Sequence, residues 1–106
     1  MGKFIYGATA VSVDIEDRAL AHLRVAIMTK LRRSESFMFD VEVGGGNGRR
    51  SFWLSPAIPI QFHFFGGRPP RLNRAWIDEL LVAASSPTGL SMMPEPRGKA
   101  TSAEKS

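Results

Sequence analysis

The chain has 106 residues, the size of one ordinary domain with no room for a second. Hydrophobic residues make up 43% and charged residues 23%, a globular balance that excludes wholesale disorder. Fourteen Lys and Arg against ten Asp and Glu leave a net charge of +4, which leans toward polyanionic partners, and the lack of cysteine excludes disulfides, thiolate metal sites and a Cys nucleophile.

The N-terminal Met1–Tyr6 stretch lacks the apolar length of a signal peptide, and Tyr6 stands where a myristoylation motif wants Ser or Thr. No apolar run approaches the ~20 residues needed to cross a bilayer, so a cytoplasmic protein with no membrane partner is expected. Phe4-Ile5-Tyr6, Gly7 and the run from Ala10 to Val13 predict two short strands and a tight turn. Asp14, Glu16 and Asp17 then suit the positive end of a helix dipole, and Lys30, Arg32 and Arg33 suit its other end. Between them Leu20, Leu23, Ile27 and Leu31 recur at spacings of three and four, which predicts a helix over 16–33.

Phe37, Phe39, Val41 and Val43 alternate with Met38, Asp40 and Glu42, the period of a strand with one covered face. The run from Gly44 to Gly48 supplies residues that tolerate a hairpin turn, and Phe52 and Leu54 mark the returning strand. Pro56 and Pro59 bracket a break, after which Ile58, Ile60, Phe62 and Phe64 form one face of a third strand. These three are expected to make an antiparallel meander. Gly66 to Arg71 reads as a loop, and Asn73 as the N-cap of a second helix with its stripe at Ile77, Leu80, Leu81 and Ala84. Leu90 to Met93 adds a short strand. Pro94 to Ser106 holds no large apolar residue and reads as a disordered tail, leaving 1–93 as the single compact domain and 94–106 outside it. The order ββαβββαβ gives an α+β domain, an antiparallel sheet with two helices packed on one face.

Between Glu42 and Asp78 there is no carboxylate, yet Arg49, Arg50, Arg68, Arg71 and Arg74 all fall there. Arginine forks hold phosphate bidentately, so this segment is the candidate nucleic-acid surface, with Arg24, Arg32 and Arg33 extending it. Solvated arginines at loop ends are the plain alternative. Trp53, His63 and Phe65 would share the second sheet face with Asp40, Glu42 and Gln61, a candidate interface for a protein partner or a second copy. His22 and His63 have no metal-site spacing, so no metal or other cofactor is expected, and a structural role suits a lone histidine. No Gly-x-Ser-x-Gly elbow is present. A small enzyme would need His63 beside Asp40, Glu42 or Asp78.

The stretches EDRALAHL (16–23), KLRRSESF (30–37), FWLSP (52–56), GGRPPRLNRAW (66–76) and PEP (94–96) resemble a small actinobacterial single-domain family. Many of its members carry the automatic label of ATP-dependent DNA ligase. The residues here argue against that activity, because such ligases form an adenylate on the Lys of Lys-x-Asp-Gly. Lysines occur only at 3, 30, 99 and 105, none followed by x-Asp-Gly, and the length falls short of a ligase core. The expected protein is therefore non-enzymatic, a basic module contacting nucleic acid or, alternatively, a protein-interaction or homodimer module.

Overall fold

In a computed structural model, which describes residues 1–43, 46 and 48–96, Gly7 takes a φ of +77° and begins the first turn. The turn folds β1 (Gly2–Tyr6) onto β2 (Val11–Ile15) as an antiparallel pair. Phe4, Val13 and Ile15 face inward, while Lys3 and Asp14 form an ion pair of 2.7 Å on the outer face. The helix expected next is α1 (Asp17–Arg32), with Leu20, Leu23 and Ile27 wholly buried and Arg24, Met28 and Arg32 exposed. β3 (Phe37–Glu42) and β4 (Arg49–Leu54) form the expected hairpin, closed by a bond from Val43 N–H to Gly48 O of 2.7 Å. Gly46 and Gly48 have the positive φ that such a turn requires, while Gly44, Gly45 and Asn47 lie outside the described residues.

β5 (Ile60–His63) departs from the expected meander. It pairs with β1 instead of β4, setting Phe62 opposite Phe4 and His63 opposite Lys3. Both prolines fall in the connection over 55–59, where they keep the β4 ladder from running on through a tight hairpin into β5. Pro59 O accepts the Gly7 N–H at 2.8 Å, fastening the chain beside β1 just before β5 begins. After α2 (Arg74–Ala84), β6 (Leu90–Ser91) runs parallel to β3 on the side away from β4. The element order is therefore as expected, ββαβββαβ, and the class is α+β. The strands form two sheets, β2-β1-β5 and β4-β3-β6, where the hydrophobic pattern alone suggested one.

Each sheet receives its own helix. α1 packs on β1, α2 packs on β3 and β6, and the two helices pack on each other. Phe4 joins the two halves: its ring meets Phe39 edge-on at 5.3 Å and lies 5.7 Å from both Phe52 and Phe62. Such ring pairs add to area burial by about 0.5–1.5 kcal/mol each. Among the described residues no helix is long and apolar enough to cross a membrane.

The folded region runs past Met93, where the hydrophobic signal ends. Pro94–Pro96 lies against the fold, and Glu95 is paired with groups from both helices' N-terminal ends, so these three residues do not belong to a disordered tail. The rest of the expected tail, 97–106, lies outside the described residues.

Candidate nucleic-acid interface

Asn73 caps α2 as expected, its Oδ1 accepting from Ala75 N–H at 3.0 Å and Trp76 N–H at 3.4 Å. Its Nδ2 donates to Glu95 Oε2 at 2.9 Å and to Pro96 O at 2.8 Å. Its backbone N–H donates to His22 Nε2 at 2.8 Å, deep between the helices. An Nε2 that accepts leaves the proton on Nδ1, which donates to Arg18 O at 2.8 Å. Both ring nitrogens are thus occupied, and the ring lies fully buried 4.6 Å from that of Trp76. His22 holds structure together, the plain role expected of a lone histidine.

Arg18 completes this clasp. Its Nε and Nη2 reach Glu95 Oε1 and Oε2 at 2.9 and 2.7 Å, a bidentate fork, while Nη1 donates to Arg71 O at 2.9 Å. The Arg18 guanidinium, helped by Asn73, holds the Glu95 carboxyl at about 2, and Glu95 in turn raises Arg18 above the ordinary arginine value. Neither residue stands out by sequence, because Arg18 follows an acidic run and Glu95 lies between two prolines. Both fall in stretches that carry the family resemblance, EDRALAHL and PEP, which meet GGRPPRLNRAW at this point.

The five arginines of the acid-free segment are dispersed. Arg49 and Arg50 are successive residues of β4, so their side chains leave opposite faces of the strand. Arg49 lines a cleft with Asp14, Glu16, Asp40 and Glu42, a place that repels an incoming phosphate. Arg74 lies 3.7 Å from Asp78, one helical turn on, with both side chains largely in solvent. Arg71 is exposed and contributes its carbonyl to the clasp.

Arg68 stands apart because it joins Arg24. The two line a groove of about 330 Å³ between α1 and the loop over 64–72. A second groove of about 440 Å³, between α1 and residues 55–62, is lined by Arg24 again and by Arg32. Arg24, Met28 and Arg32 recur every fourth residue, so they lie along one side of α1. Among the described residues the ion pairs are Lys3–Asp14, Arg18–Glu95, Lys30–Glu35 and Arg74–Asp78, and none takes Arg24, Arg32 or Arg68.

One carboxylate borders these grooves, Asp17 at the start of α1. It accepts the Gly66 N–H at 2.8 Å and the Phe65 N–H at 3.3 Å, which pins the loop against the helix. The Gly66 N–H is the main cause that lowers its pKa below the usual aspartate value. Gly66 suits this contact, since a Cβ there would come within 3.2 Å of Asp17 Oδ2.

The aromatic candidates divide between the two sheets. Trp53 is half exposed on the outer face of β4, across from Met38. His63 is on the outer face of β5, in edge-to-face contact with Phe65 at 4.8 Å. The split of β5 from β4 removes the shared face on which all three were expected. It also puts His63 and Asp40 on different sheets, where Asp40 accepts a hydrogen bond from Ser51.

A family model described as a domain of unknown function, DUF7882, matches residues 1–95. No curated protein and no solved structure matches the chain.

Proposed function

From the surface of this chain, which belongs to the DUF7882 family, we propose a non-catalytic module that contacts nucleic acid through its phosphates. The observation that carries the reading is the pair of adjoining grooves that share Arg24 and add Arg68 on one side and Arg32 on the other. The one carboxylate bordering them is already engaged by two backbone N–H groups. Guanidinium groups outside any ion pair can take phosphate oxygens bidentately, which positions a strand without reading its sequence. The reading moves the contact surface from the whole acid-free segment to Arg24, Arg32 and Arg68.

Fluorescence anisotropy with labelled DNA at low salt tests it. Three phosphate contacts give a slope of log K against log salt of about −2 for a single strand and about −3 for a duplex. Charge reversal at Arg24, Arg32 or Arg68 should weaken binding, whereas Arg49→Ala, in the acidic cleft, should not. A flat salt response, or equal losses at Arg49 and Arg68, overturns the proposal.

A second reading rests on Trp53, whose exposed ring beside Met38 suits a contact with a protein or with a second copy. Sedimentation of the wild type and of Trp53→Ser decides it. A concentration-dependent dimer lost in the variant supports this reading, and a monomer throughout excludes the second copy.

A further inference from the structure

We infer that the ligand of this surface is single-stranded nucleic acid, with one unstacked base seated in the groove between α1 and the 64–72 loop. The inference rests on the phosphate reading above and specifies which form of nucleic acid the surface takes. Phosphates alone require cations, and a surface serving only them would gain nothing from an apolar wall. This groove has such a wall: Ala21 and Val25 on the helix side, Phe64, Pro69, Pro70 and Leu72 on the loop side. Leu72 keeps 49% of its surface exposed although it stands directly before the cap of α2.

The groove's size and charge narrow the occupant. A volume of about 330 Å³ is at the small end of the ~300–1,000 Å³ typical of ligand pockets, which suits a single ring system. A duplex buries its base faces in the stack and offers the protein phosphates and base edges. A single strand offers π-faces, which aromatic side chains and guanidinium planes accept. Arg24 and Arg68 border the same groove and are exposed, so either can hold the phosphate that accompanies the seated base. The second groove continues from Arg24 past Met28 to Arg32, a path for the neighbouring nucleotides. The acidic cleft lined by Asp14, Glu16, Asp40 and Glu42 is a separate place that a strand avoids.

The test uses the full chain with three labelled probes of equal length: oligo(dT), a duplex, and an oligo(dT) whose central nucleotides are abasic. The expected order is oligo(dT) tightest, the abasic strand weaker by about 5-fold or more, and the duplex weaker than oligo(dT). Two variants carry the same charge change at exposed apolar positions. Leu72→Glu sets a carboxylate in the groove and should reduce oligo(dT) binding at least about tenfold. Val82→Glu, on the exposed side of α2 and outside both grooves, should change it less than about threefold. A duplex bound as tightly as oligo(dT), an abasic strand bound equally well, or equal losses in the two variants overturns the seated base while leaving the phosphate reading standing. Absence of binding to all three probes overturns both.

Discussion

Replacing Glu95 by Gln isolates the charge of the clasp while keeping an oxygen that can still accept from Asn73. The wild-type carboxyl titrates at about 2 in the folded chain, against an unfolded value of ~4.3. Because the folded state holds the proton less tightly, the contribution is complete above the unfolded value and disappears as pH falls toward 2. Taken without screening, the difference corresponds to about 3 kcal/mol at neutral pH. The two side chains keep 38% and 31% of their surface exposed, so solvent screening reduces the expected effect to about 1–2 kcal/mol. Urea unfolding followed by tryptophan fluorescence should therefore place the midpoint of E95Q about 0.5–2 M below wild type at pH 7, for m of about 1–2 kcal/mol/M. The gap should narrow steadily below pH 5 and close near pH 2. Equal midpoints at pH 7, or a gap that persists unchanged to pH 2, would refute the assignment of this stability to the Arg18–Glu95 pair.

Other consequences follow from single contacts. His22→Leu keeps the bulk but leaves the buried Asn73 N–H without an acceptor, so thermal unfolding should show a loss of about 1–3 kcal/mol. Gly89→Ala should destabilise by more than about 1 kcal/mol in chemical denaturation, because φ is +86° there and the new Cβ would lie 2.7 Å from Met38 O. A chain ended after Met93 should melt below one ended after Pro96, since the shorter chain strips Arg18 of Glu95 and the Asn73 Nδ2 of both Glu95 and Pro96 O. Equal melting temperatures would return residues 94–96 to the tail.

The sequence made some of these features plain and hid others for physical reasons. α1 was legible because Leu20, Leu23 and Ile27 repeat at the helical period, and the start of α2 because Asn73 is a capping residue before an apolar stripe. Strand partners were harder: Phe62 shows which face of β5 is covered, and says nothing of whether Phe52 or Phe4 covers it. The place of residues 94–96 in the fold escaped notice because Glu95 is held by charge and hydrogen bonds, which hydropathy does not register. Among the arginines, the acid-free stretch was visible, but nearness in sequence did not become nearness in space. Alternation along β4 already implied that Arg49 and Arg50 diverge. The meeting of Arg68 with Arg24 depended on Asp17 drawing a distant loop onto α1.

The clasp also bears on the order in which the molecule is completed during synthesis. Arg18 and Glu95 are 77 positions apart, and Asn73 precedes Glu95 by 22. At the ~5–20 residues per second of translation, Glu95 follows Asn73 by roughly 1–4 s. In that interval both helices can dock, with the Arg18 Nε and Nη2 and the Asn73 Nδ2 still without Glu95. A contact absent from the folding transition state slows unfolding without speeding folding, and E95Q unfolding faster than wild type at an equal folding rate would show that the Arg18–Glu95 pair is such a contact. The Arg18–Glu95 pair closes the fold with the last described segment to leave the ribosome.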